Sequence, residues 1–348
     1  MGPNRPKKAR NFILASLKSA FALAKNEKVR VADNEADRRW NICQGCDDLS
    51  DKGQCVHCGC AMRRKVHWNL ETCPIGKWDL EHLVSVVIAA LPDETHLSET
   101  VSSLESGAFG PIEVIVMNDS YSEPRGRRSL INEGVLKANG KYIYIVDSHC
   151  LLTKGWDRLL KDELDDEQDM VFSPIQALDI AGDQLSWGNG RYGCVYLDKH
   201  LVEKWGPRLD EATTAESMAM TGCGFMLHKK RFWELGGYDE TLAGYGGDGP
   251  EWSLKVWLSG GMVRCCGAVT CGHLFAASSQ SARHRVSKDE IARTYQRIRI
   301  LTTEGKWPEQ KHGIEWLLGR FWPVAGWNEQ TFTRTKPQVQ EWVSVAYA

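Results

Sequence analysis

From Leu83 onward, apolar runs of strand length alternate with stretches of helical character. The runs are LVSVVIAAL from residue 83, PIEVIVMNDS from residue 111 and KYIYIVDS from residue 141. Helical stretches fill residues 95–106 and 127–139 between them. Continuous apolar runs are typical of strands buried on both faces of a parallel sheet. The alternation of strands and helices therefore predicts an α/β fold with a parallel, doubly wound sheet.

Polar side chains stand at the carboxyl ends of the second and third runs. Asp119 ends the second run, and Asp147 ends the third, with His149 two residues later. Ligands of doubly wound sheets bind beyond these strand ends, and side chains at i and i+2 of an extended segment share one face. A carboxylate and an imidazole on one face can hold a divalent metal that neutralises a diphosphate. An ordinary Asp-Ser-His turn with local hydrogen bonds is the alternative.

The beginning of the chain is basic. The chain has 348 residues, 42% apolar and 25% charged, with a net charge of −2, but residues 1–40 carry ten Lys or Arg against four Asp or Glu. This basic arm predicts contact with an anion such as nucleic acid. Ile13, Leu17 and Phe21 lie at helical spacing and predict an amphipathic helix. A signal peptide is the alternative, although Lys18 interrupts its apolar segment.

No uncharged apolar run reaches the ~18 residues that a membrane-spanning helix needs. We therefore expect a cytoplasmic location, which is the host cytoplasm if a phage encodes the protein.

Six of the twelve cysteines fall between residues 43 and 73. Two C-x-x-C pairs, Cys43/Cys46 and Cys55/Cys58, form knuckles that can complete a tetrahedral Zn²⁺ site. The segment holds few apolar residues, so a metal is the expected source of its stability in a reducing compartment. The alternates to these four ligands are Cys60 and Cys73. A two-zinc cluster and a disulfide framework stay open. The arrangement resembles the zinc-ribbon modules of small phage proteins.

Six segments follow one another between about Leu83 and Phe275. They are SVVIAALPDE, VIVMNDSYSE, RRSLINEGVLKANGKYIYIVDSHC, MTGCGFMLHKKRFWELGGYDE, YGGDGPEWSLKVWLSGG and CGHLF. In this order they resemble the GT-A glycosyltransferases, and most closely the polypeptide N-acetylgalactosaminyltransferases. The resemblance implies a nucleotide-diphospho-sugar transferase with a Rossmann-like GT-A domain. It also implies a UDP-sugar donor, Mn²⁺ or Mg²⁺ as cofactor, and transfer to a hydroxyl with retained anomeric configuration.

The resemblance also implies which residues bind the metal and the nucleotide. Asp147, His149 and His273 take the metal positions, and Asp147 thereby also contacts the donor. Asp119 takes the position that reads the uracil. Arg128, at the start of the helix before the Asp-x-His strand, is a weaker candidate for a nucleotide contact.

The sugar pocket follows from the remaining matched positions. Gly222 and Gly224 are expected to let the backbone approach the sugar. Asp248 takes the position of a sugar-binding Glu, and Glu251 and Trp257 match residues that line the same pocket. Asp248 and Glu251 are the candidate catalytic residues.

Two features leave the chemistry of transfer open. Gly249 stands where the family has an Asn that helps to hold the sugar, so the identity of the donor sugar stays open between a hexose and an N-acetylhexosamine. Related inverting enzymes place an Asp base at the start of this helix. Asp248 as the base of an inverting reaction is therefore the alternative mechanism.

The predicted organisation has four parts: a basic arm (1–40), a zinc ribbon (41–80), a GT-A domain (81–285) and a helical extension (286–348). A basic arm and a ribbon are devices for holding a polyanion. Together with the phage-like ribbon they predict 5-hydroxymethylpyrimidine in phage DNA as the acceptor. Ser or Thr of a protein is the alternative acceptor. A nucleic-acid-binding protein on a decayed glycosyltransferase fold is the alternative that is not an enzyme.

Overall fold

The structure is a computed structural model in which the chain divides into two compact units, residues 1–82 and 83–348. It describes residues 30–31, 33–68, 71, 73–75, 77–78, 83–164, 166–206, 208–211, 213–242, 246–275 and 288–328. The predicted amphipathic helix around Leu17 lies outside these residues. Within the described ranges, no helix combines the length and apolarity needed to cross a membrane.

The first unit contains helices α1 (Asp33–Gln44) and α2 (Met62–Lys65) around a small core. The buried core side chains are Ala36, Cys43, Cys55, Cys58, Met62, Val66 and Trp78. The Arg39 guanidinium lies 4.7 Å from the centre of the Trp78 ring and donates to the Trp68 carbonyl oxygen at 3.0 Å. A core of this size buries little apolar surface, so a further source of stability is expected.

The second unit is built on a seven-stranded sheet. Its strands are β1 (Val84–Ala90), β2 (Ile112–Asn118), β3 (Tyr142–Val146), β5 (Met170–Phe172), β10 (Thr214–Glu216), β11 (Gly224–His228) and β12 (Val263–Cys266). Their order is β10-β12-β5-β11-β3-β1-β2. The three apolar runs form β1, β2 and β3, and β1 is parallel to both neighbours. The predicted parallel pairing is confirmed for β1, β2 and β3, but the sheet as a whole is mixed, because β11 lies antiparallel between β3 and β5 and β10 pairs antiparallel with β12.

Helices cover both faces of this sheet. They are α3 (Leu97–Gly107), α4 (Arg127–Lys137), α5 (Trp156–Lys161), α6 (Lys229–Glu234), α7 (Asp248–Leu258), α8 (Lys288–Thr303) and α9 (Ile314–Phe321). Val86 and Ile88 of β1 pack into one core with Leu104 of α3, whereas Val87 packs into the other core with Ile131 of α4. Burial on both faces explains why β1 lacks a polar alternation.

A second sheet forms beside the carboxyl end of β3. Its strands are β4 (Cys150–Leu152), β6 (Ile175–Ala181), β7 (Gln184–Tyr192) and β13 (Cys271–His273), in the order β4-β13-β6-β7. Strands β8 (Val195–Leu197) and β9 (Glu203–Trp205) form a separate antiparallel pair. In the antiparallel pairing of β13 with β4, His273 stands opposite Cys150, the residue that follows His149. This register joins the end of β13 to the end of β3.

Candidate active site

Three side chains meet where β3 ends and β4 and β13 pair. Asp147 follows β3, His149 precedes β4, and His273 is the last residue of β13. Their potential ligand atoms all lie within 4.8 Å of one another. The Asp147 Oδ2 and His273 Nε2 atoms are 3.3 Å apart, and the two imidazole ring centres are 5.0 Å apart. The structure therefore brings together the three predicted metal positions, although His273 follows His149 by 124 residues along the chain.

The chemistry of this group fits a divalent cation. One carboxylate oxygen and two imidazole nitrogens form a donor set that suits Mn²⁺ and similar ions. Among the described residues, the buried Nδ1 atom of His273 has no hydrogen-bond partner. Burial would raise the pKa of Asp147, but the Arg127 guanidinium and the two imidazoles hold it well below its usual range. Asp147 is thus an anion that is ready to bind a cation.

The carboxylate of Glu94 contacts the Nδ1 atom of the His149 imidazole. Its Oε2 atom lies 3.4 Å from His149 Nδ1 and accepts a hydrogen bond from Ser148 Oγ at 2.8 Å. The hydrogen bond with His149 lowers the pKa of Glu94 to about 2. A carboxylate on the second nitrogen fixes the ring orientation of a metal-binding histidine. Sequence reasoning did not single out Glu94, although its position just beyond β1 was an available signal.

Arg127, the first residue of α4, connects the candidate metal site to Asp248. Its Nη2 atom donates to Asp147 Oδ1 at 3.0 Å, and its Nη1 atom lies 3.4 Å from Asp248 Oδ2. It also donates to the Tyr238 hydroxyl at 2.9 Å and to the Gly222 carbonyl oxygen at 3.1 Å. Sequence reasoning named its neighbour instead, because the pattern could not decide which of two adjacent arginines faces the site.

Arg128 lies beneath the site. It donates from Nε to Glu251 at 3.1 Å, and its Nη2 atom lies 3.1 Å from Asp248 Oδ1. It also donates to the carbonyl oxygens of Leu242 and Gly246. Its side chain is only 7% exposed, so this conformation offers little of it to a nucleotide. A role in positioning Asp248 fits these contacts.

Two predicted pocket residues are fully buried. Glu251 has no exposed surface and accepts hydrogen bonds from Arg128, from Lys255 Nζ at 2.8 Å and from the Asp239 amide at 2.7 Å. Trp257 is also fully buried and donates to the Ser217 carbonyl oxygen. Both side chains are therefore enclosed by other protein groups in this structure. Their predicted roles in the sugar pocket stay predictions.

The two glycines serve different contacts. A Cβ added to Gly222 would lie 3.0 Å from the Cβ of Asp248, so this glycine lets the chain approach the start of α7 at the candidate site. A Cβ added to Gly224 would lie 2.7 Å from the buried Tyr144 hydroxyl. Gly224 is therefore explained by packing inside the sheet, and the expectation that it opens space for the sugar finds no support in its position.

Asp119 follows β2 and organises the loop after it. Its carboxylate accepts hydrogen bonds from the amides of Ser120, Arg125 and Gly126, at 2.9, 2.8 and 3.1 Å. The side chain is partly exposed at the carboxyl edge of the sheet. Its role in reading uracil stays a prediction.

Comparisons with known proteins agree with this geometry. Residues 121–236 match the model of Glycosyl transferase family 2. Polypeptide N-acetylgalactosaminyltransferase 12 of Homo sapiens is 25% identical over 262 residues, covering 64% of this chain and 45% of the relative. Polypeptide N-acetylgalactosaminyltransferase 8 of Drosophila melanogaster is 28% identical over 270 residues, covering 65% and 45%. The chain thus spans under half the length of these curated relatives.

A solved structure also resembles the chain. The crystal structure of GalNAc-T7 with UDP, GalNAc and Mn²⁺ covers 63% of this chain and 48% of its own, with 20% identity and a TM-score of 0.51. The second unit has a GT-A fold. Within this fold, Asp147, His149 and His273 form a group that could hold a metal ion.

No disulfide joins the cysteines among the described residues of the first unit. Both C-x-x-C segments form backbone turns, from the Cys46 amide to the Cys43 carbonyl at 3.1 Å and from the Gly59 amide to the Cys55 carbonyl at 2.8 Å. Burial, and then the nearby thiols, raise the pKa of Cys43 to about 11. Among the described residues, however, these sulfurs do not form a group that could hold a metal ion. The zinc site stays a prediction.

Proposed function

We propose that this protein is a metal-dependent glycosyltransferase that moves a hexose or N-acetylhexosamine from a UDP-sugar to an acceptor hydroxyl, with retained configuration. The observation that carries the proposal is the group of Asp147, His149 and His273 at the strand ends of a GT-A fold. Arg127 donates to Asp147 of this group, and Asp248 pairs with Arg127. The named relatives support the same donor class.

The residues divide the work as follows. Asp147, His149 and His273 would hold Mn²⁺, and the bound ion would supply positive charge for the diphosphate of the donor. Arg127 presents a planar fork of donors that suits phosphate oxygens. Asp119 reads the uracil.

Asp248 accepts hydrogen bonds from the sugar. Guanidinium nitrogens lie 3.1 and 3.4 Å from its two carboxylate oxygens, which favours a binding role over that of a base that must take a proton. The alternative, inversion with Asp248 as the base, predicts loss of turnover with unchanged donor affinity in Asp248→Asn.

Two acceptors are proposed, and the evidence for them differs in strength. Serine or threonine of a protein is supported by the names of the polypeptide N-acetylgalactosaminyltransferase relatives. A 5-hydroxymethylpyrimidine in DNA is supported by the sequence alone, through the basic residues of 1–40 and the cysteine module. Residues 1–29 lie outside the described residues, so the relatives' names give the protein acceptor the stronger support.

One experiment tests donor and acceptor together. The purified chain with Mn²⁺ is given four UDP-sugars, two of them UDP-hexoses and two UDP-N-acetylhexosamines. Each donor is combined with Ser/Thr peptides, hydroxymethylpyrimidine DNA or unmodified DNA, and the products are identified by mass spectrometry. Sugar on peptide but on no nucleoside would exclude the DNA acceptor, and the reverse would exclude the protein acceptor. NMR of the product linkage separates retention from inversion. Failure to bind UDP or to hydrolyse any UDP-sugar would overturn the enzyme proposal and favour the non-catalytic alternative.

A further inference from the structure

The position after Asp248 has no room for a side chain. A Cβ added to Gly249 would lie 2.4 Å from the Met220 carbonyl oxygen, a distance that real Cβ atoms do not show. The Gly249 carbonyl accepts a hydrogen bond from Ser253, whose hydroxyl also accepts one from the Met220 amide. This close backbone approach fixes the start of α7. Any further polar contact beside Asp248 therefore has to come from another element.

Glu203 of β9 reaches this position. Its Oε1 atom lies 3.8 Å from the place of a Gly249 Cβ, and its Oε2 atom accepts a hydrogen bond from the Tyr295 hydroxyl at 2.6 Å. Oε1 is thus the carboxylate oxygen on the side of Gly249. Burial raises the pKa of Glu203, hydrogen bonds from the Tyr295 hydroxyl and from the Glu203 backbone oppose that rise, and the nearby charge of Asp248 adds to it. Glu203 and Asp248 thus stand close enough to influence each other.

Helix α8 fixes Tyr295 in this place. A Cβ added to Gly247 would lie 2.8 Å from both Thr294 and Ile298 side chains, so α8 packs tightly on the backbone before Asp248. Gly247 has a φ of 77°, which favours glycine for a second reason. Thr294 and Ile298 are buried, and Tyr295 lies between them in sequence, partly exposed. Helix α8 thereby places the Tyr295 hydroxyl where it donates a hydrogen bond to the Glu203 carboxylate.

We propose that Glu203, held by Tyr295, is a specificity-determining residue whose second carboxylate oxygen accepts a hydrogen bond from a hydroxyl of the donor sugar. This inference rests on the proposed function and names the residue that selects among UDP-sugars. A carboxylate only accepts hydrogen bonds, and sugar hydroxyls are its natural donors. Epimers differ in the direction of one hydroxyl, so a fixed acceptor favours one of them.

The test measures affinity, not turnover. Full-length protein with Mn²⁺ is titrated by calorimetry with UDP, UDP-glucose, UDP-galactose, UDP-N-acetylglucosamine and UDP-N-acetylgalactosamine. The variants are Glu203→Gln and Tyr295→Phe, and Glu105→Gln on the exposed face of α3 is the matched control. We expect Glu203→Gln to weaken the preferred UDP-sugar about tenfold, the effect of losing one charged hydrogen bond. The affinity for UDP itself should stay within about twofold.

Tyr295→Phe should shift the same affinities in the same direction and by less, because it removes only the group that orients Glu203. If Glu203→Gln does not fold, this single-oxygen change carries the test. The inference is overturned if both variants keep every ratio of UDP-sugar to UDP affinity within about twofold of the wild type. A lower melting temperature with unchanged ratios means that the pair only anchors α8. A wild-type protein that binds no UDP overturns the proposed function as well.

Discussion

Replacement of Glu251 by Gln tests whether this residue is structural or catalytic. Glu251 is fully buried and neutralises two cations that are themselves almost fully buried, Arg128 and Lys255, with side chains 7% and 2% exposed. A glutamine keeps the shape and one acceptor oxygen but removes the charge. The folded protein would then hold two buried cations with less compensation.

The two cations would not lose equally. Arg128 keeps the ion pair with Asp248 at 3.1 Å and two backbone carbonyl partners. Lys255 keeps the Gly237 carbonyl oxygen, 2.6 Å away, but no other anion among its described contacts. Breaking a buried ion pair by removing one partner costs about 3–5 kcal/mol. For a unit of this size, that loss lowers the melting temperature by about 6–20 °C.

Thermal unfolding followed by circular dichroism measures this change, with Glu105→Gln as the exposed control. Calorimetric titration with UDP at a temperature well below the transition measures whether the site survives. We expect a large loss of stability and UDP affinity within about threefold of the wild type. An unchanged melting temperature together with lost turnover would refute the structural role and restore Glu251 as a catalytic candidate.

Four further results are expected. Asp147→Ala and His273→Ala should abolish Mn²⁺ binding and transfer while the melting temperature stays near that of the wild type; wild-type turnover in either would contradict the metal site. Glu94→Gln should weaken Mn²⁺ binding about 10- to 100-fold, measured by electron paramagnetic resonance, because His149 loses its orienting partner. Arg127→Lys should weaken UDP binding about tenfold, because the planar donor fork is lost. Native mass spectrometry should find one or two Zn²⁺ on residues 43–73 after mild chelation; a folded, zinc-free chain without disulfides would contradict this.

The parts of the fold that sequence could predict are those set by local pattern. The apolar runs that form β1 and β3 are buried on both faces, and such runs have few alternatives to central strands. The run that forms β2 is only partly buried, because β2 lies at the edge of the sheet. Asp147 and His149 were identified for the same reason, since a strand end followed by an alternating polar pair is visible in the sequence. His273 required the family resemblance, because only the pairing of β13 with β4 brings it near.

The parts that sequence could not predict depend on long-range packing. The antiparallel insertion of β11 follows from how residues 150–223 fold before the chain returns to the main sheet. The choice between Arg127 and Arg128 depends on the rotation of α4 against β3, which adjacent identical residues do not reveal. Glu203 and Tyr295 are separated by more than 90 residues, and neither lies in a recognisable motif.

A series of ion pairs with alternating charge connects the candidate active site to the buried ion pairs that stabilise the second unit. Asp147 uses Oδ1 for Arg127 and turns Oδ2 toward His273, so a cation on the histidine side does not have to displace the arginine. Arg127 also pairs with Asp248, Asp248 pairs with Arg128, and Arg128 pairs with the buried carboxylate of Glu251. A ligand that adds negative charge beside Arg127 therefore acts on groups whose positions are fixed by buried ion pairs. In the reaction proposed above, such preorganisation would keep these groups from rearranging as charge develops on the leaving diphosphate.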